Sequence, residues 1–275
     1  MDEPQDARPQ ISISIVVYNS SLALLRRTLL SLAEAAAPLE QEVTVTVVDN
    51  ASSGIYSENL TRLVQEIPGD NFRLSLRRSN QNLGYGGGHN LALQDCGAYH
   101  LVLNPDVELA RDALQRGIAR LEEDEETVLL SPYAAAPDGN QEYLCKRHPS
   151  VLVLLLRAFA PGLGWRLCPG KMAAYQMSDV CGPDLELDVP LASGCFMLMR
   201  GDALRAVGGF DDGYFMYFED FDLSLRLAAC GRVLYLPAVR IVHHGGYAGR
   251  KGLKHVWLFM TAGVRFFRQH GWRWF

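Results

Sequence analysis

The chain lacks any pair of cysteines at metal-knuckle spacing. Its six cysteines, Cys96, Cys145, Cys168, Cys181, Cys195 and Cys230, stand apart from one another. That scatter argues against a C-x-x-C zinc site and a disulfide framework, and leaves them as small core residues. Long apolar runs are missing too. Val151 to Leu156 and Ala158 to Ala160 are separated by Arg157 and closed by Pro161, well short of the ~20 residues that a membrane span needs. Met1 to Gln10 carries acids and prolines instead of a basic region followed by an apolar run, so no secretory signal is expected and the cytoplasm is the expected location. The glycine-rich stretch has no Walker lysine, and His89 stands where a dinucleotide fingerprint counted from Gly84 would need its last glycine. Acids vanish late in the chain: all 31 lie at or before Asp222, whereas nine of the 26 Lys and Arg residues follow it. A net charge of -5 thus hides two regions suited to partners of different character.

What is present is a full complement of core residues, 48% of 275 positions, enough for one large α/β domain with a small appendage. Ile11 to Tyr18 is β-branched and ends in Asn19-Ser20-Ser21, after which leucines from Leu22 to Ala37 recur at helical spacing. Glu42 to Val48 reads as a second strand, Ile55 to Ile67 as a helix, Phe72 to Leu76 and His100 to Leu103 as further strands. The glycines from Gly84 to Gly88 read as a loop leading into a helix over Asn90 to Cys96. Helices over Asp112 to Asp124, Asp202 to Val207 and Glu219 to Ala229, and strands over Val128 to Ser131, Cys195 to Met199 and Val233 to Leu236, complete the alternation. Strands that alternate with helices imply a mostly parallel central sheet covered by helices. Tyr133 to Pro190 shows no clear period and is read as elaboration on the main sheet.

Ligands of open parallel sheets bind beyond the carboxyl ends of the strands. The residues there are polar: Tyr18 and Asn19 after the first strand, Asp49 and Asn50 after the second, Asn104 and Asp106 after the fourth. Each taken singly is also a good turn former or helix cap. Their placement on one rim favours a binding site. The loop from Asn82 to Asn90, with Gly84, Gly86, Gly87 and Gly88, would let backbone approach a ligand closely.

The ordered set SIVVYN, VVDNASS, NLGYGGGHN, LNPDV, SGCFMLMR, GGFDDGYFMYFEDFDLSLR and HHGG resembles the inverting family 2 glycosyltransferases. Within them it is most similar to bacterial rhamnosyltransferases. The resemblance runs from about Ser14 to about Gly246. It implies a single A-type nucleotide-diphospho-sugar transferase domain over residues 11–247, with a nucleotide-binding half to about residue 106 and an acceptor and catalytic half beyond. An N-terminal extension, 1–10, precedes it, and a basic aromatic helix, 248–275, follows.

Carried over by position, Asp49 would accept the imide N–H of a pyrimidine base, and Tyr18 and Asn19 would line the nucleoside pocket. Asn82, Gly84, Gly86, Gly87 and Asn90 would cover nucleoside and donor sugar, with Asn104 beside them. Asp106 matches the last acid of the family's D-x-D motif, while Asn104 replaces the first. A Mg²⁺ or Mn²⁺ ion would take Asp106 and a late histidine, His243 being the better match, and draw its other ligands from phosphate and water. His244 is the near alternative and otherwise falls on the acceptor side. Asp220 would be the general base, with Glu219 its partner. Asp222 and Tyr217 would meet the acceptor.

The implied reaction moves L-rhamnose from dTDP-rhamnose, with inversion, to a saccharide or lipid-linked acceptor in cell-surface polysaccharide synthesis. A UDP-linked galactofuranosyl or N-acetylhexosaminyl donor, and a non-catalytic nucleotide-sugar-binding module, are the alternatives. No nucleic-acid partner is expected, and self-association stays open. The tail, rich in Trp, Phe, Lys and Arg, points to peripheral contact with the inner face of an anionic membrane. Within it, Leu253 to Gln269 is expected to pack on the catalytic domain and Gly271 to Phe275 to meet lipid.

Overall fold

The computed structural model describes residues 10–67, 71–245 and 252–275, so the extension over 1–9, Gly246 of the HHGG motif, and Arg250 and Lys251 of the tail lie outside the described residues. β1 (Ile11–Val17), β2 (Val43–Asp49), β3 (Phe72–Arg78) and β4 (Tyr99–Leu103) pair in parallel in the order β3-β2-β1-β4. Every residue of β1 is buried, as a strand covered on both faces requires. β9 (Phe196–Arg200) runs antiparallel between β4 and β6 (Thr127–Ala135). β10 (Arg232–His243) pairs in parallel with β6, and β5 (Val107–Leu109) closes the edge antiparallel to β10. Short strands β7 (Gln141–Glu142) and β8 (Leu187–Asp188) attach to β6 and β10. The expected mostly parallel sheet is present, with β9 inserted against the grain.

α1 (Leu22–Ala36), capped by the Ser21 hydroxyl on Leu24 N, and α4 (Ala113–Glu123) cover one core with β1 and β2. α2 (Gly54–Glu66) contributes Leu60 and Leu63 to it. A second core joins β4, β6, β9 and β10 to α8 (Gly201–Ala206) and α9 (Glu219–Leu227). A third gathers Val153, Leu154, Met172 and Tyr175 from α5 (Val151–Phe159) and α7 (Pro169–Gln176) with Phe266 and Phe267 of α10 (Leu253–His270). α6 (Pro161–Leu167) links α5 to α7 in a helical hairpin, which lies between β7 and β8 within the stretch without a clear period. Among the described residues no helix is long and apolar enough to cross a membrane. Four of the cysteines are buried, Cys168 is half-buried, and Cys230 is exposed, against its expected place in a core.

Two elements differ from the sequence reading. The glycine-rich stretch is itself a helix, α3 (Gly84–Asn90), and the expected helix after it shrinks to a 3-10 turn at Leu93–Asp95. Glycine is a poor helix former, but packing overrides propensity here: a Cβ on Gly86 would come within 2.7 Å of Phe210, and one on Gly88 within 2.7 Å of Val16. The last strand was expected to end at Leu236 but continues to His243, with an irregularity in its pairing to β6 between Leu236 and Arg240. A proline at 237 marks that irregularity.

Candidate active site

The rim after β1 and β2 is tied together by side chains. Asp49 Oδ1 accepts from Ser52 N at 3.0 Å, and Asn19, at φ 49°, accepts from Ser53 N at 3.1 Å and donates its own N–H to Ser52 Oγ at 3.0 Å. Tyr18 stands 54% exposed at the end of β1. Asn50, which the sequence offered only as a strand end, reaches across: its Nδ2 donates to Gly84 O at 2.8 Å and Asn82 Oδ1 at 3.1 Å, and its Oδ1 accepts from Leu83 N at 2.9 Å. Asn82 also accepts from Gly84 N. One buried asparagine thus fixes the entry of α3.

Other residues of the expected donor loop serve packing. Asn90 Nδ2 donates to Phe210 O and Asp212 Oδ1, both at 2.9 Å, and its Oδ1 accepts from Phe210 N, so it ties α3 to the turn before the acidic motif. Gly86 faces Phe210 and Gly87 faces Leu83. The chemistry of the loop falls instead to Tyr85, whose hydroxyl donates to Gly194 O and whose N–H donates to Phe215 O at 2.9 Å. Burial, then the charges of Cys195, Asp220, Glu219 and Asp106, push that hydroxyl far above the usual phenol range.

The cleft has a volume of about 970 Å³ and takes in Tyr85, Asn104, Gly194, Tyr217, Glu219 and Asp220. α9 opens with the acids, where helix N-terminal charge favours them. The two residues before it, Tyr217 at φ 74° and Phe218 at φ 66°, are left-handed, a strained entry of the kind held at functional sites. Asp220 Oδ2 accepts from Gly194 N and Oδ1 from Phe221 N, each at 2.9 Å. Burial raises the Asp220 carboxyl, while those two N–H groups and the Lys146 ammonium lower it. Glu219 Oε2 is buried without a partner, and burial, then the charge of Asp220, push its carboxyl up to about 8. Burial thus raises both carboxyls of the pair, and the N–H groups of Gly194 and Phe221 favour the ionised form of Asp220.

Asp222 does not face this cleft. It is 2% exposed, with one oxygen 2.8 Å from His270 Nε2 and the other bonded to Arg226, so it joins α9 to α10. The expected acceptor role for Asp222 is corrected to a structural one, because residues two apart on a helix face different ways. Of the aromatic run, Tyr214 and Phe218 are buried, while Tyr217 lines the cleft with its hydroxyl 3.0 Å from His255 Nδ1. His255, Val256 and Phe259 of α10 form part of the wall, so the tail set apart in the sequence belongs to the site.

Beyond β4, Asp106 Oδ1 is buried without a hydrogen-bond partner and lies 3.7 Å from His243 Nε2. His243 Nδ1 is 2.7 Å from Glu142 Oε2. The Glu142 carboxylate on Nδ1 orients the ring so that Nε2 faces Asp106, the arrangement that suits a metal-ligating histidine. His244 pairs instead with Glu108, which also holds Arg27 at 2.7 Å. Of the two histidines the sequence left open, His243 faces Asp106, while His244 meets Glu108 at the sheet edge, away from the acceptor side expected for it. Among the described residues no cluster of three His, Cys, Asp or Glu stands ready for an ion. Asp106 and His243 fit a divalent ion that takes its remaining ligands from a diphosphate and water. Glu142, in the segment without a clear period, gave no sequence signal.

A family model described as Glycosyl transferase family 2 matches residues 12–208. The chain belongs to this family. The match stops before Glu219, Asp220 and His243, whose placement rests on the geometry above. This family 2 glycosyltransferase is 28% identical over 235 residues to the N-acetylglucosaminyl-diphospho-decaprenol L-rhamnosyltransferase of Mycobacterium tuberculosis (strain CDC 1551 / Oshkosh), covering 79% of this chain and 72% of the relative. It is 33% identical over 154 residues to rhamnosyltransferase WbbL of Escherichia coli (strain K12), covering 55% and 54%. The fold matches the crystal structure of GalNAc-T7 with UDP, GalNAc and Mn²⁺ at a TM-score of 0.64 and 17% identity, across 96% of this chain and 48% of that one. The chain thus spans about half the length of that structure.

Proposed function

We propose that this glycosyltransferase moves L-rhamnose from dTDP-rhamnose, with inversion, to a sugar hydroxyl on a lipid-linked acceptor in cell-surface polysaccharide synthesis. The observation that carries the reading is the Glu219–Asp220 pair at the wall of a cleft also lined by Asn104, two residues before Asp106, which faces His243. The names of the mycobacterial and E. coli relatives support rhamnose, and the mycobacterial name supports a sugar-diphospho-polyprenol acceptor. Residues 11–106 serve the nucleotide and 107–247 the acceptor, with the tail helix completing the acceptor side at the inner face of the membrane.

In this mechanism Asp220 takes the acceptor hydroxyl proton, because a sugar hydroxyl is a poor nucleophile until it is relieved of it. The freed oxygen attacks the anomeric carbon from the side opposite the diphosphate, and the carbon–oxygen bond to the diphosphate breaks. Backbone N–H groups of Gly194 and Phe221 orient the Asp220 carboxylate, and burial raises the Glu219 carboxyl beside it. Asp106 and His243 would hold Mg²⁺ or Mn²⁺, which supplies charge stabilisation to the leaving diphosphate. Asp49 would accept the imide N–H of thymine through the oxygen that Ser52 leaves open.

The test is release of dTDP when dTDP-rhamnose is mixed with a sugar-diphospho-polyprenol acceptor. Turnover confined to a UDP-linked galactofuranosyl or N-acetylhexosaminyl donor would replace rhamnose. Binding of a donor with no release from any would make the chain a binding module.

A further inference from the structure

Two long stretches contain no Asp or Glu: residues 143–178, with five Lys or Arg, and residues 223–275, with nine. They are distant in sequence and meet in space. Val151 N donates to Arg273 O at 2.8 Å and Leu152 N to Trp274 O at 3.2 Å, so the C-terminal strap lies across the start of α5. Lys171 of α7 stands over the Phe275 ring, 5.9 Å from its centroid. At the cleft, Arg157, Phe159 and Pro161 from the first stretch line the same cavity as His255, Val256 and Phe259 from the second.

Around that meeting place apolar side chains face water. Phe159 is 58% exposed, Leu163 48%, Leu167 64% and Trp257 64%. Single exposed leucines are ordinary, but large aromatic and aliphatic side chains exposed on three helices, α5, α6 and α10, that border one cleft mark an interaction surface. Arg166 of α6, Lys171 of α7 and Lys254 of α10 are exposed as well. Rings and leucines beside unpaired-with-acid cations suit the headgroup region of a bilayer, where the apolar groups reach the acyl boundary and the cations meet lipid phosphates.

We propose that this acid-free face docks on an anionic bilayer, lying in its headgroup region without crossing it, and holds the mouth of the Asp220 cleft toward the lipid. Charge complementarity selects an anionic surface, because neither stretch has an acidic side chain to offer a cationic partner. The benefit to catalysis rests on the lipid-linked reading of the acceptor given above; the surface itself rests on exposure, charge and the position of the cleft. The extreme end is only one part of the face. Its Arg273 and Trp274 carbonyls bond the first N–H groups of α5, so truncation after His270 would damage the hairpin and point variants are the cleaner probe.

The full-length chain should co-sediment with vesicles of phosphatidylglycerol and phosphatidylcholine, less so at high salt, and weakly with phosphatidylcholine alone. A Leu163→Gln, Leu167→Gln, Trp257→Gln variant should lower the partition by about tenfold or more while circular dichroism and thermal unfolding stay as in the parent. An Arg166→Glu, Lys171→Glu, Lys254→Glu variant should remove the preference for phosphatidylglycerol. Both should keep turnover on a short-chain, water-soluble acceptor and lose it on a long-chain acceptor in vesicles. Failure of the parent to bind these vesicles, or parent-like binding by both variants, overturns the proposal. So does a dimer in sedimentation velocity that the glutamine variant splits while vesicle binding persists, which would make the face a contact between copies. If no lipid-linked acceptor is used but vesicle binding still depends on these residues, the acceptor reading fails and the docking surface stands.

Discussion

His243 Nδ1 lies 2.7 Å from Oε2 of Glu142, a residue 101 positions earlier in the chain. The contact aims Nε2 at the buried, unpartnered Oδ1 of Asp106. Removing such a carboxylate frees the ring to turn and lowers its basicity. Glu142→Ala should therefore weaken Mn²⁺ binding in the presence of a nucleoside diphosphate by about 10–100-fold, read by titration calorimetry. Glu108→Ala, which strips His244, should leave that affinity unchanged.

Asp220→Asn should keep donor affinity and lower turnover by about a hundredfold or more, the scale of losing a positioned base. Rapid-quench kinetics beside donor titration separates the two. Retention of more than about a tenth of the parent rate would take the base role from Asp220.

Glu219 also carries a signature in stability. Its folded carboxyl is raised to about 8 from 4.5, so the folded state binds the proton that the unfolded chain has released. Stability from this group is present below the unfolded value and is lost as pH rises through the window to 8. Glu219→Gln should flatten the decline between pH 5 and 8 in urea unfolding. A decline as steep as in the parent would show that Glu219 ionises normally.

A buried chain of Ser12, His100, Ser14 and His89, with contacts of 2.7, 3.0 and 2.7 Å, titrates the other way. Burial, joined by the charge of His100, holds His89 down at about 3, and burial holds His100 at about 4. Unfolded imidazoles take protons below about 6.5, so acidification favours the unfolded chain. Each ring should contribute about 2 kcal/mol of stability lost between pH 7 and 5. His100→Gln should reduce that slope, whatever it does to absolute stability.

Gly84 sits at φ +79° with the Phe215 carbonyl oxygen 2.0 Å from where a Cβ would stand. Gly84→Ala should cost about 2 kcal/mol or more, combining left-handed strain with the clash. Gly54 has nothing within 4 Å of its Cβ position, and Gly54→Ala should be neutral or stabilising by about 0.5 kcal/mol. Urea unfolding of the two variants checks the contrast.

Local pattern was enough for much of the molecule. The β-branched run at Ile11, the leucines from Leu22 and the acids at Glu219 are encoded in periods of two or 3.6 residues and in helix-end chemistry, which a chain carries wherever it is placed. Those periods gave the alternating elements and the parallel sheet, and the polar residues after each strand gave the rim. They did not give the helix over Gly84 to Asn90, because glycine's poor propensity is overcome there by close packing on Phe210 and Val16. Nor did they separate His243 from His244: that choice follows from β10 staying extended past the irregularity near Arg240, with one ring then meeting Glu142 and Asp106 and the other Glu108. The same holds for Asp222, drawn away from the cleft by Arg226 and His270. The sequence by itself determined most of the strands and helices, the polar rim and the acidic pair. Which distant side chains face one another was decided only by the tertiary structure, since a contact across 101 residues depends on strand order and register rather than on any local spacing.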